Sequence, residues 1–516
     1  MDSYQILVIA LLTLAVADLI VGVSNDAVNF LTSAIGSKVA SRRTILIIAA
    51  LGVFVGAAFS SGMMEVARKG IFNPQFYSFA DVMIIFLAVM ITDIILLDTF
   101  NSLGLPTSTT VSIVFELLGA SVMVGWLMLS SGRAEVDTLD QLINTSKASQ
   151  IIAGIFISIG VAFTVGAIAQ WFSRMIFTFT VDKSFKRWGA LYSGIAMTFI
   201  IYFLLIKGIK GAVFVTDETA EYIKSHTWFI VGLSLALSTM ILWLLQRLAY
   251  INPLKIVVLA GTFALAMAFA GNDLVNFIGV PIAGFDSYRD FMASGADPRD
   301  YMMTSLAEPR RASGIMLYIA GAIMVITLWI SAKARKVTDT SINLGAQGSV
   351  DEKFKPNLVS NAIISTALGF NNFFTAVMPN RTLRYINRRL SLEGIDTSQR
   401  PAFDLVRASV NLMIASILIA FASSLKLPLS TTYVSFMVAM GTSLADRAWG
   451  RESAPYRVAG VVNVIAGWFI TAGGAFLSAA LIALAIYYGG NLVAIALVII
   501  ALIILANTNL LVKKKH

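Results

Sequence analysis

Long apolar runs, separated by short polar and mostly basic stretches, set the pattern of this chain. Runs near the ~20 residues that a membrane-crossing helix needs are predicted at about 4–23, 44–64, 82–103, 111–130, 149–172, 188–206, 227–246, 254–270, 311–332, 403–425, 433–445, 458–486 and 491–512. Some of these are half-length, so ten to twelve crossings are expected. The polar residues that break the runs recur. Asn25-Asp26-Ala27-Val28-Asn29-Phe30 is matched by Asn272-Asp273-Leu274-Val275-Asn276-Phe277, and Pro106-Thr107-Ser108-Thr109-Thr110 by Pro428-Leu429-Ser430-Thr431-Thr432. An ionisable residue at membrane depth is costly, so two in matched contexts predict one site built from two repeats.

Composition agrees with a membrane solvent. Over 516 residues, 57% are hydrophobic and 13% charged, and the mean hydropathy is +0.80; a soluble globule carries roughly 25% charge. The net charge of +9 lies in loops between apolar runs, which fits the positive-inside rule and argues against nucleic acid. There is no cysteine, and the two histidines are His226 and His516, so thiolate and histidine metal centres are not expected. The N-terminus lacks a basic n-region and reads as a retained first helix.

The motif offsets grow along the chain, 247 from Asn25 to Asn272 and 322 from Ser108 to Ser430, so the second copy carries insertions. Five segments follow. Residues 1–132 form a first transmembrane repeat, 133–253 connecting loops and scaffold helices, 254–332 the start of the second repeat, 333–402 a basic cytoplasmic insertion, and 403–516 the second hairpin and C-terminal helices. Surface loops are expected at 281–310 and within 333–402, with an interfacial or packed amphipathic helix at 357–379. The basic clusters at 174–187, 333–355, 381–400 and 447–457 predict one cytoplasmic side, and the mildly acidic 133–148 the opposite one.

Asn25 and Asn29 share a helix face with Asp26 at its edge. Gly22 and Ser24 just before allow the helix to unwind there as well, which would free carbonyl oxygens as extra ligands for a small hard cation. In the second motif, proline ends one helix and Ser or Thr caps the next. The new N-terminus then points inward with free N–H groups and hydroxyls, a setting that attracts an anion. Carboxylates tolerate an anion beside them only when cations lie between, so cation-coupled anion transport follows from the electrostatics.

At these residues the chain resembles the inorganic phosphate transporter (PiT) family, whose signature is a duplicated Gly-x-Asn-Asp-x-x-Asn paired with a duplicated Pro-x-Ser-x-Thr. The resemblance covers about 1–130 and 255–480. It implies an all-α polytopic membrane protein, an inverted-repeat secondary transporter with broken helices and two re-entrant Pro-x-Ser-Thr-Thr hairpins, usually a homodimer. It also implies symport of inorganic phosphate with Na+ or H+ across a cell membrane, the inner membrane if bacterial, with no other cofactor. Carried over, Ser108, Thr109, Thr110, Ser430, Thr431, Thr432, Asn25 and Asn272 are expected to bind phosphate, and Asp26, Asn29, Asp273 and Asn276 the cation, with Na+ at Asp26 and Asp273. The family often has histidine before the second Asn-Asp and after each Ser-Thr-Thr, where this chain has Ala270-Gly271, Val111 and Tyr433. Without that proton carrier Na+ is favoured over H+.

Asp93 and Glu116 are further candidates for coupling, as third ion ligands or as proton carriers; interfacial residues would read the same way, as would Asp98. Arg407 is expected to pair with Asp404 or snorkel to the lipid headgroups. Sulfate in place of phosphate, a passive anion channel and a membrane-embedded enzyme are the competing functions. An ionised carboxylate favours phosphate over sulfate, because HPO4(2−) can donate to it. A channel needs no ion-binding carboxylate, and an enzyme would need a nucleophile with its base.

Overall fold

The computed structural model describes residues 3–515 apart from 59, 61–69, 180–181, 208–215, 309, 311–312, 347–354, 356–357, 359–360, 363, 367–375, 391–400, 426–428 and 449–453. Its main helices are α1 (Ser3–Asp26), α2 (Val28–Gly36), α3 (Arg42–Ala57), α4 (Phe79–Leu103), α5 (Thr109–Ser130), α6 (Thr145–Ile176) and α7 (Asp182–Ile201). They continue with α8 (Thr227–Leu248), α9 (Pro253–Ser294), α10 (Gly314–Ile330), α11 (Ala332–Gly345), α12 (Leu405–Ser424), α13 (Thr431–Ala445) and α14 (Ala454–Lys515). The chain is a multi-pass integral membrane protein. Among the described residues nine helices are long and apolar enough to cross a membrane, or ten with the bent pair α10–α11. Ten is the low end of the expected range and nine falls below it: α3 and α13, at 16 and 15 residues, are short of a full span, and α14 is counted once although Gly490 divides it into two helices.

Two helical hairpins, α4–α5 and α12–α13, bring the Ser-Thr-Thr motifs into the protein interior. Each is supported by the long helix that follows the other hairpin. The helix after the first hairpin, α6, packs along α13, and the last helix, α14, packs along α5. Glycines at equivalent positions allow both approaches. Gly119 and Gly441 each lie eleven residues past the capping serine; a Cβ on Gly119 would stand 2.1 Å from the Phe476 carbonyl oxygen, and one on Gly441 2.1 Å from that of Phe163. In lipid, where helices gain little from hydrophobic exclusion, such small-residue contacts carry much of the association. The same interleaving joins α3 to α9, where Gly52 and Gly56 face the carbonyls of Phe263 and Met267.

The hairpins are also closed at their bases by charge. Asp81, in the first turn of α4, pairs with Arg133 beyond α5 at 3.2 Å, and Arg133 donates to the Tyr487 hydroxyl of α14 at 3.1 Å. At the second base Arg174 of α6 is buried between Asp404 (2.8 Å) and Asp446 (2.7 Å), with Gln170 on Asp446 and Arg407 3.6 Å away. Arg407 is thus buried: its guanidinium donates to Ser443 and the Ala402 carbonyl, and Asp404 takes its backbone N–H, so it does not snorkel. A buried charge this far from water requires such partners.

Several expectations change. The basic segment after 332 does not begin as a surface loop: α11 turns by 70° from α10 and packs inward, burying Val337, Thr338, Ser341 and Leu344. Lys333, buried, pairs with Asp98 of α4 at 2.5 Å, and Lys336 donates to the Ser102 carbonyl. Asp98 is therefore an interhelical anchor. The break in a helix lies here, at Ser331, and not at Gly22–Ser24: Ala27 is helical, and the bonds Ala27 N to Val23 O and Leu31 N to Ala27 O run through the first Asn-Asp. The loop expected at 281–310 starts late, because α9 continues to Ser294 and buries Ser287 and Phe291. The runs 458–486 and 491–512 are two helices within α14, separated by non-helical backbone at Gly490, whose φ is +63°. Most of 357–379 lies outside the described residues.

Substituting Gly119→Val or Gly441→Val is predicted to force α5 from α14 or α13 from α6, costing about 1–3 kcal/mol or more. Gly154→Ala and Gly160→Ala on α6, where a Cβ meets nothing within 4 Å, serve as controls. Thermal unfolding in detergent should show lower midpoints for the first pair only; unchanged midpoints there would remove the close-contact reading.

Candidate functional site

The two hairpin tips meet over the two Asn-Asp motifs. Ser108 and Ser430 are the N-caps of α5 and α13, accepting the backbone N–H of Val111 (3.1 Å) and Tyr433 (3.0 Å). This capping directs the next two threonines of each tip toward the carboxylates. Thr109 donates to Asp26 at 2.9 Å, and Thr432 of the other tip donates to Asp26 at 3.0 Å. Thr110 donates to Asp273 at 3.0 Å, and Thr431 of the other tip donates to Asp273. Each carboxylate is thus held by one hydroxyl from each hairpin, and exchanging the repeats maps this set of bonds onto itself.

The amides complete the pattern. Asn29 donates to Thr432 and Asn276 to Thr110, both at 3.0 Å, and Ser435 donates to the Asn29 oxygen at 2.9 Å. Asn25 accepts the Thr107 backbone N–H at 3.0 Å and donates to Asn101 at 2.7 Å. Asn272 donates to the Leu429 carbonyl at 3.1 Å. All twelve residues expected at the site by sequence are brought together, and all are buried. Asp93 and Glu116 are placed apart from them, with Asp18.

Their roles shift in one respect. The threonine hydroxyls expected to face an anion are bonded to the carboxylates, and the serine oxygens expected to face it accept helix N–H groups. An adjoining cavity of about 20 Å³, lined by Asn29, Thr432, Ser435 and Asn411 among others, is the size of a water molecule. Among the described residues no Lys or Arg pairs with Asp26 or Asp273, so these two buried carboxyls must be neutralised by a proton or by a cation from outside the chain.

Sequence reasoning missed the residues that hold the first tip from behind. Trp468 of α14, buried, donates its indole N–H to the Pro106 carbonyl at 3.3 Å and stacks on Tyr433 with ring centroids 3.9 Å apart. Thr471 shares a 2.7 Å hydroxyl contact with Thr107. Neither belongs to a repeated motif, so the signal that exposed the other twelve was missing.

Interleaved helices, with two buried hairpin tips meeting over two carboxyls, are the architecture of a polytopic membrane transporter. The family model of the phosphate transporter family matches residues 22–341, and the chain belongs to that family. A solved structure described as the sodium-dependent phosphate transporter aligns with 93% of this chain and 99% of its own, with a TM-score of 0.63 at 14% identity, a likeness of fold. Relatives include a Pyrococcus furiosus protein provisionally named a phosphate permease, 25% identical over 53% of this chain and 64% of its own length. A Pyrococcus abyssi protein named in the same way is 28% identical over 36% of this chain and 44% of its own. The chain thus spans between about two fifths and under two thirds of these relatives.

Asp26→Asn and Asp273→Asn are each predicted to abolish cation-coupled phosphate uptake in proteoliposomes with insertion unaffected, since the amide keeps the shape and loses the charge. Near-wild-type uptake by both would rule out the two-carboxylate site.

Proposed function

We propose that the protein is a secondary active symporter that imports inorganic phosphate with Na+. The observation that carries this reading is the cross-bonded pair Asp26 and Asp273, each gripped by hydroxyls from both hairpin tips. Na+ prefers several hard oxygens, and carboxylate, threonine hydroxyl and asparagine carbonyl oxygens converge here. With cations between the carboxylates, the tip hydroxyls and N-terminal amides of α5 and α13 turn toward an anion. Phosphate at neutral pH still carries a proton to donate to a carboxylate, whereas sulfate does not, which supports phosphate as the substrate. An inverted arrangement of the repeats would let the hairpins open alternately toward opposite faces.

The test is radiolabelled phosphate uptake into proteoliposomes with Na+ and proton gradients imposed separately. An inward Na+ gradient at equal pH should drive accumulation, and excess unlabelled sulfate should leave it unchanged. Accumulation driven by the proton gradient alone, or displaced by sulfate, would overturn the assignment of ion or substrate.

A further inference from the structure

A second set of acids lies behind the first hairpin. Asp18 is on α1, eight residues and about 12 Å before Asp26 at ~1.5 Å per residue; Asp93 is on α4 and Glu116 on α5. All three are fully buried. The carboxyls of Asp18, Asp93 and Glu116 lie near one another where α1, α4 and α5 pack together. Both oxygens of Asp18, both of Asp93 and Oε2 of Glu116 are buried without a hydrogen-bond partner. Ser112 donates to Glu116 Oε1 at 2.6 Å. The charged groups bearing on the cluster are acids as well: Asp26 on α1 and, beyond it, Asp273 on α9.

The other repeat shows what fold alone requires here. With the motif offsets of 247 for α1 and 322 for the hairpin, Asp18, Asp93, Ser112 and Glu116 correspond to Leu265, Ala415, Val434 and Val438. All four are apolar and buried. Leucine, alanine and valine fill these positions in the second repeat, so the acids of the first are not needed for packing. Three neighbouring carboxyls that are fully buried and largely unpartnered cannot all be ionised, so at least one holds a proton. Among the described residues no group of three His, Cys, Asp or Glu side chains is arranged to hold a metal ion. The ligand that fits is a proton.

We propose that Asp18, Asp93 and Glu116 form a proton-binding site that latches the first hairpin, separate from the Na+ and phosphate site. Protonated, the carboxyls hydrogen-bond α1, α4 and α5 together and seat Thr109 and Thr110 on Asp26 and Asp273. Deprotonated, they repel and loosen the same three helices. Proton occupancy then sets how readily phosphate is handled, even where Na+ supplies the driving force. This inference rests on the symport reading for its functional consequence, but the proton site can be observed without it.

Two measurements on the full-length protein decide it, comparing wild type with Glu116→Gln, Asp93→Asn and the triple variant Asp18→Leu/Asp93→Ala/Glu116→Val. The triple variant writes the second repeat's residues into the first and so guards against misfolding. In purified protein, infrared difference spectra on raising the pH should show loss of a protonated-carboxyl C=O band, which the triple variant lacks. In proteoliposomes under a fixed Na+ gradient, wild-type phosphate uptake should fall from mildly acidic to mildly alkaline pH, and Glu116→Gln should lose that dependence. Identical infrared bands in wild type and triple variant, or superimposable pH profiles of uptake, would overturn the proton latch. Wild-type protein with the band but without any phosphate uptake would instead overturn the transport reading and leave the proton site standing.

Discussion

Two carboxylates in an apolar interior, Asp26 and Asp273, are the constraint around which the rest is arranged. An ionised carboxylate without water or a cation is costly to bury, and here each is met by threonine hydroxyls from two different hairpins. Neither hairpin alone satisfies either acid. The two halves are therefore joined at their most polar point, and any movement of one tip changes the environment of both carboxylates.

The framework around that point is built to hold the tips without touching the chemistry. The close helix contacts at Gly119 and Gly441 and the ion pairs at the hairpin bases lie along the hairpins and at their bases. The interleaving of α6 with α13 and of α14 with α5 means that neither repeat can move as an isolated body. Any separation of the tips has to come from tilting within this frame, and Trp468 and Thr471, bonded to Pro106 and Thr107, are the side chains through which α14 would feel the first tip move.

The sequence exposed this site because it occurs twice. Asn25-Asp26 and Thr109-Thr110 are polar interruptions whose recurrence at Asn272-Asp273 and Thr431-Thr432 separates them from incidental polar residues. Contacts that cross the repeats asymmetrically have no such signal. Lys333 sits in a run, Ala-Lys-Ala-Arg-Lys, that reads as a surface loop, and only its pairing with Asp98, 235 residues away in sequence, shows that α11 turns inward. The small residues Gly22 and Ser24 permit unwinding, but Ala27 keeps helical geometry and the helix continues through the motif.

The same logic separates the acids at Asp18, Asp93 and Glu116 from the symmetric core. A site shared by both repeats has to be fitted to both, and its chemistry is bound to the transport step. A feature present in one repeat only can alter how one hairpin is held without altering what the site binds. Since α5 carries both Glu116 and the tip threonines on one rigid helix, a change in the cluster about 12 Å from the tip, at ~1.5 Å per residue, is transmitted as a tilt of that helix. Loosening of the first hairpin then reaches Asp273 through Thr110 as well as Asp26 through Thr109, so a proton bound in one half is felt by both carboxylates.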